Sequence, residues 1–341
     1  MGQSGCSVLE ISLKSVKYLE LAPKKKQLEV QNFLVYPYQT KADLEAILPK
    51  LQAERAEPDQ AIGTSVWSST LISKKITLPL LAPHELKAVI EAEAGKQLPF
   101  ALSECQMDYY VIDENLQTKI MEVMLIAAKK DLIVERCKYL QKYGIAMRFM
   151  DIHPIALARL YKRFHGDLKQ GVALIHVGCN PPALMGEENF VCILKNGVPV
   201  VLRDLNERLF LSAPATVERP AEATAPAEGQ ATALAPAAPT PATATPQAPT
   251  ANFQAAASQI MNAVVFYENN FKEPVSRILL SGDSATCARM GEALLSQHRR
   301  KAEQWNILDQ INFTDAAIKD EARKNEAGLN ILLGLAARGI E

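Results

Sequence analysis

Apolar and polar positions alternate along the first part of the chain in three runs, 7–12, 16–21 and 27–36, separated by short polar turns. This pattern predicts an antiparallel three-strand meander. The period then changes: Leu44, Ile47, Leu48 and Leu51 recur at helical spacing over 43–54, and Pro49 is expected to kink or end that helix. Residues 61–67 read as a strand again. Between 83 and 144 the order becomes helix, strand, strand, helix, marked by Leu86, Val89 and Ile90, by 106–112 and 119–128, and by Ile133, Cys137 and Leu140. Such a block predicts a small inserted α+β subdomain. A strand at 146–152 and a helix at 153–164 follow, with Pro154 in the first turn, where a missing N–H costs nothing. His153 there reads as a capping or packing residue.

A second unit begins with apolar strands at 172–177 and 190–194. Asn196-Gly197 then joins 190–194 to the run 198–205, and Asn-Gly between two apolar runs predicts a tight hairpin. After Leu211 the composition shifts to Ala, Pro and Thr, with eight of the chain's twenty prolines. Residues 212–252 are therefore expected to be a disordered linker, since they cannot bury enough apolar area to offset their ordering entropy. From Phe253 a helical face reappears with Ala257, Ile260, Met261 and Val264. A strand at 277–281 runs through Gly282-Asp283-Ser284 into a helix marked by Cys287, Met290 and Leu294. A strand at 305–308 is expected next, and Leu329, Leu332, Leu333 and Ala336 define a last amphipathic helix. The strands 8–12 and 174–178 begin alike, each apolar around one polar residue, Glu10 or His176, and each running into a turn.

Composition narrows the function classes. A chain of 341 residues, 48% of them hydrophobic, has room for two domains with cores of their own. The net charge of −1 gives no general attraction to nucleic acid or to an anionic membrane, so neither is an expected partner. Lys24-Lys25-Lys26 and Arg299-Arg300-Lys301 read as solvated faces. Six scattered cysteines without a CxxC pair or a nearby histidine imply neither zinc nor a disulfide framework, and they fit a reducing compartment. No apolar stretch approaches the ~18 residues of a membrane span, so no direct membrane insertion is expected. The start of the chain lacks the apolar core of a signal peptide, and Cys6 stands where myristoylation needs Ser or Thr.

Three strand–turn sites could carry chemistry: 12–15, 178–180 and 281–283. With them, in order, come Glu10-Ile11-Ser12 and Ser15-Val16-Lys17, Leu98-Pro99-Phe100, and Ala127-Ala128-Lys129-Lys130. Asp151-Ile152-His153-Pro154 with Ala156-Leu157-Ala158-Arg159 follows, then Lys195-Asn196-Gly197-Val198-Pro199 with Arg203-Asp204, and Ile278-Leu279-Leu280-Ser281-Gly282. This collinear set resembles the type IV pilus assembly protein PilM family, relatives of the division protein FtsA in the actin and sugar-kinase superfamily. The resemblance covers nearly the whole chain apart from the linker. It implies a two-lobed actin-like α/β fold, a duplicated ribonuclease H-like unit. The first lobe would span 1–82 and 145–170, the inserted subdomain 83–144, and the second lobe 171–211 and 253–341.

By the same resemblance, Glu10, Ser12, Ser15 and Lys17 occupy the first phosphate loop, His176, Gly178 and Asn180 the second, and Gly282 and Asp283 the adenosine loop. Family members use small residues there so that backbone N–H groups reach phosphate, and short aspartates to hold hydrated Mg²⁺. This chain departs at each loop. Glu10 and His176 replace the aspartates, Ser12 replaces a glycine, and Pro181-Pro182 supply no N–H donors. Asp283 and Ser284 stand where further glycines are expected, and the linker replaces the helical subdomain that would enclose the base. These departures predict a vestigial site with weakened or lost nucleotide binding, no catalytic residue, no metal and no cofactor. An ion pair between Glu10 and a protonated His176 would be one way to hold the lobes closed.

The function implied is a cytoplasmic scaffold, monomeric or dimeric, held peripherally at the inner membrane through its partners. Those partners would be the tail of a PilN-like membrane protein and other pilus or secretion components. The tail groove would lie between the first lobe and the subdomain, near Leu98, Pro99 and Phe100 and the strands after them. Two alternatives stay open: an actin-like ATPase retaining ATP and Mg²⁺, and the cytoplasmic component of a type II secretion system. A small-molecule kinase would need a catalytic carboxylate and a Mg²⁺ shell, and neither is visible.

Overall fold

The computed structural model describes residues 5–12, 15–24, 27–67, 71–166, 170–178, 189–205 and 249–340. Its opening strands are β1 (Cys6–Ile11), β2 (Ser15–Lys24) and β3 (Gln27–Pro37), an antiparallel meander with Glu10 opposite Lys17. Helix α1 (Lys41–Glu54) starts on a capping box in which Thr40 and Asp43 satisfy each other's backbone N–H. It runs through Pro49 rather than ending there. Leu44, Leu48 and Leu51 fix the buried stripe, while Pro49 lies on the exposed face, where the carbonyl it leaves unbonded meets water. Strands β4 (Ile62–Val66) and β8 (Met147–Ile152) add parallel to β1, and β14 (Asn312–Phe313) adds parallel to β3. The six-stranded sheet has the order β14-β3-β2-β1-β4-β8.

The subdomain sheet differs from expectation by one strand. It has the order β5-β7-β6, built from β5 (Ile72–Pro79), β6 (Cys105–Asn115) and β7 (Ile120–Lys129), so it begins before residue 83. In β5 only Ile76 and Leu78 are buried, too short an alternation to read beside Lys74, Lys75 and Pro79. Helix α2 (Pro83–Gln97) covers this sheet with Leu86, Ile90 and Ala94. Helix α3 (Lys130–Gln141) lies in the segment assigned to the subdomain, yet its Leu140 packs into the first-lobe core with Leu9, Val16 and Leu44.

The second lobe holds β9 (Gly171–Val177), β10 (Phe190–Lys195), β11 (Val198–Asp204), β12 (Val275–Gly282) and β13 (Glu303–Gln304), in the order β11-β10-β9-β12-β13. The Asn196-Gly197 hairpin forms as expected, with both residues at positive φ. Helix α4 (His153–His165) precedes this lobe, and α5 (Pro249–Phe271) and α6 (Ser284–His298) cover its sheet. Helix α5 starts at Pro249, inside the stretch expected as linker, because proline is compatible with a first helical turn. Residues 212–248 of that stretch lie outside the described residues.

No strand forms over 305–308. Pairing stops at Gln304, and Trp305, Ile307 and Leu308 all bury into one core instead of alternating across a sheet. Beyond this point the chain leaves the second lobe, contrary to the 253–341 boundary. After β14 come α7 (Ala316–Lys324) and α8 (Leu329–Ile340), and α8 packs against α4, β1 and β2. Every residue of α8 from Leu329 to Ala337 is buried, and a helix apolar on all sides is stable only when enclosed. One hydrophobic cluster consequently runs from β1 and β2 through α8 and α4 to β9 and β10, joining the lobes.

Candidate functional site

Glu10 on β1 and Lys17 on β2 face each other and are both buried. The Lys17 ammonium donates to the carbonyl of Ala327, in the turn before α8. Gly328, at φ +76°, packs so closely that a Cβ there would sit 2.6 Å from Glu10 Oε2 and 3.0 Å from Lys17 Nζ. Burial pulls the nearby Arg136 guanidinium of α3 below its usual range, against the opposing pull of Tyr38 and Glu10. In the adjoining turn, Ser12 donates its N–H (3.0 Å) and its hydroxyl (3.1 Å) to the Ser15 carbonyl, and the two hydroxyls lie 3.1 Å apart. Tyr38 OH also donates to the Ser12 carbonyl.

On the opposite lobe, His176 Nδ1 lies 3.4 Å from Ser281 Oγ, and its ring stacks on Phe190. Burial, reinforced by the Lys17 charge, pushes this imidazole down to about 3, so it is neutral. That overturns the expected ion pair with Glu10: the dry site disfavours the charged imidazole, and a cation rather than a carboxylate sets the local field. His153 is likewise pushed to about 3 by burial first, then by His176, Arg136 and Lys17. It packs against Phe190 instead of capping a helix.

The Gly178 N–H donates to Asn189 Oδ1 at 2.7 Å, and Asn180 lies outside the described residues. Gly282 sits at φ +149°, and a Cβ there would come within 1.9 Å of the Val177 carbonyl oxygen, so only glycine fits this strand end. Asp283 serves as the N-cap of α6, accepting from the Thr286 N–H at 2.9 Å. Asp283→Ala is expected to lower stability by about 1 kcal/mol, read as a shifted denaturant midpoint; an unchanged midpoint would remove the capping role.

The turn before α8 is tied to both lobes. Lys17 holds it from the first lobe and Ser284 of the second donates to its Glu326, while Asn330 at the start of α8 donates through Nδ2 to Ser281 Oγ of the second lobe (3.2 Å). Among the described residues of the two phosphate loops, the Ser12 and Gly178 amides, the Ser15 hydroxyl and the Lys17 ammonium are thus engaged by the protein itself. Among the described residues no three His, Cys, Asp or Glu side chains gather to hold a metal ion.

A groove of about 1090 Å³ opens elsewhere, between the subdomain and the first lobe. Its walls are Gln106 to Tyr110 of β6, Phe149 to Ile152 of β8, Arg159, Lys162 and Arg163 of α4, Pro199 of β11 and Arg338 of α8. Asp151 organises the floor: its Oδ2 accepts from Arg159 Nη1 and Arg338 Nη1, both at 2.9 Å, and its Oδ1 accepts from the Ile152 N–H at 2.8 Å. Leu98, Pro99 and Phe100 do not line this groove. They follow the end of α2, where Leu98 packs into the subdomain core. The walls lie on β6, the strand that follows this turn, and on β8. Asp151 and Arg159 already stood in the motif set, and their polarity on either side of the apolar start of α4 was the available signal.

A family model for the type IV pilus assembly protein PilM matches residues 8–193, more than half of the chain. The chain belongs to the PilM family. Among solved structures, one described as a PilM–PilN type IV pilus biogenesis complex aligns over 99% of both chains with a TM-score of 0.70 at 16% identity. Looser likenesses include a Bacteroides thetaiotaomicron protein of actin-like ATPase fold (TM-score 0.46, 7% identity, 91% of this chain and 95% of that one). Another is the cytoplasmic domain of EpsL, an inner-membrane component of the Vibrio cholerae type II secretion system (TM-score 0.38, 11% identity, 59% and 72%). The actin-like α/β fold expected from the sequence is the one present.

Proposed function

We propose that this PilM-family chain is a scaffold at the cytoplasmic face of an inner-membrane type IV pilus assembly complex, and that it binds the cytoplasmic tail of a PilN-like membrane protein. The groove between β6, β8 and α4 carries this reading, as a peptide-sized concavity walled by two separate parts of the fold. The likeness to the PilM–PilN complex over the full chain supports it. None of the helices among the described residues is long and apolar enough to cross a membrane. The internally bonded phosphate-loop groups support weakened or lost nucleotide binding and no hydrolysis.

Titration calorimetry tests both parts. A synthetic peptide of the cytoplasmic tail of a PilN-like protein from the same organism is expected to bind with a stoichiometry near one, while Mg-ATP is expected to give no heat of binding and no turnover. Tight Mg-ATP binding would overturn the nucleotide reading. Absence of tail binding would overturn the scaffold reading.

A further inference from the structure

Edges of all three sheets meet at the groove. Strand β6 is an edge of the three-stranded sheet, β8 of the six-stranded sheet and β11 of the five-stranded sheet, and each contributes to its wall. An edge strand presents backbone N–H and C=O groups that its own sheet leaves unpaired. What satisfies those groups differs among the three.

On β8 the Ile152 N–H is bonded to Asp151, and that carboxylate is itself clamped by two guanidiniums. Arg338 Nη1 also reaches the Met150 carbonyl at 3.3 Å. Releasing this edge would strand charges in a half-buried setting. On β11 the Pro199 carbonyl accepts from Tyr110 OH at 2.7 Å, and proline has no N–H to offer.

On β6 the cover is light. The Tyr109 N–H is bonded, at 2.8 Å, to the carboxylate of the preceding residue, Asp108, which is exposed. The Met107 carbonyl accepts from Gln106 Nε2 at a long 3.5 Å. With Met107 opposite Ala127 and Tyr109 opposite Leu125 on β7, alternation turns the backbone groups of Met107, Tyr109 and Val111 toward the free side. The five groove-lining residues of β6 extend over about 17 Å at the rise of a strand.

We propose that the partner's tail binds as an added strand on the free edge of β6, displacing the Asp108 carboxylate from the Tyr109 N–H. This rests on the reading that a PilN-like tail occupies the groove. The occupant is an extended segment, since a helix has already spent its backbone groups internally. Main-chain pairing would supply affinity, and alternate side chains would supply selectivity. One row of tail side chains would face Ile126, Ile133 and Phe149, which calls for apolar residues at every second tail position.

The synthetic tail described above is the probe, with hydrogen exchange read at the Tyr109 amide and with single backbone N-methyl groups moved along the peptide. Strand addition predicts slowed exchange at Tyr109 and binding losses of about tenfold or more at every second methylated position, with little change between them. Asp108→Ala, which removes only the stand-in acceptor, is expected to bind the tail about two- to tenfold more tightly. A tail that binds without protecting Tyr109, or without alternation in the methyl series, overturns strand addition and leaves the scaffold reading standing. Weaker binding by Asp108→Ala overturns the stand-in role. A tail that does not bind at all removes the scaffold reading itself.

Discussion

Gly334→Leu is expected to destabilise the protein more than any exposed substitution, by on the order of 3 kcal/mol or more, and to leave much of it unfolded or aggregated. Gly334 lies midway along α8, where that helix crosses α4. A Cβ there would stand 1.9 Å from the Ala156 carbonyl oxygen and 2.5 Å from its carbon. Those are backbone atoms of a buried helix, so no rotamer change relieves the overlap. The helices would have to separate, which would open the cluster that joins the two lobes. Gly95, also helical but exposed, gives the contrast: a Cβ there meets nothing nearer than Leu102 Cδ1 at 3.5 Å. Gly95→Ala should therefore stabilise by about 0.5–1 kcal/mol through helix propensity alone. Urea midpoints of the two variants measure both effects. If Gly334→Leu unfolds at the wild-type midpoint, the helix crossing is not as close as described.

Stability is also expected to fall steeply on mild acidification. His153 and His176 are both held near 3 in the folded protein, against about 6.5 in an unfolded chain. As pH drops below 6.5 the unfolded state takes up protons that the folded state refuses. The stability carried by these groups is therefore complete above 6.5 and is lost progressively toward 3. Each histidine removes about 1.4 kcal/mol per pH unit in that window, so the pair should cost about 3 kcal/mol between pH 7.5 and 5.5. Lys17 and Arg136 lie close by, and their positive charges sharpen the refusal. Among the described residues His153 Nδ1 has no hydrogen-bond partner, so His153→Leu removes a proton site without breaking a bond at that atom. Chemical denaturation across pH should show about half the wild-type slope in this variant. A flat wild-type profile, or an identical slope in the variant, would show that these imidazoles charge freely in the fold.

Periodic segments were legible in advance where burial on one face dictates residue type. The meander, α1, β7 and the Asn196-Gly197 hairpin follow from alternation, helical spacing and turn chemistry. Strand β5 was not, because an edge strand buries only Ile76 and Leu78 and otherwise looks polar. Residues 305–308 misled for the opposite reason. A run of apolar residues can bury in a lobe junction as readily as in a sheet, and Trp305, Ile307 and Leu308 do so. At the cleft between the lobes, the sequence marked Glu10, Ser12, His176 and Asp283 as departures from a nucleotide site, beside Lys17, Gly178 and Gly282 at loop positions that the resemblance implies. It could not reveal that Ala327 and Gly328, about 310 residues further along, fill the space before Glu10 and Lys17.

The sequence by itself determined the elements, the duplicated plan and the family, since these rest on local periodicity and on short motifs in a fixed order. Tertiary structure alone decided which polar residues meet. The Glu10–His176 pair, plausible on paper, gives way to His176 with Ser281 and Lys17 with Ala327, because burial penalises charge and the turn before α8 supplies nearer partners. The groove belongs to the same class. Its walls come from β6, β8, α4, β11 and α8, whose adjacency depends on how the three sheets pack. Hydrophobic patterning specifies that each sheet buries one face. Which of their edges converge, and which backbone groups are left there for a partner, is set only once those faces have packed.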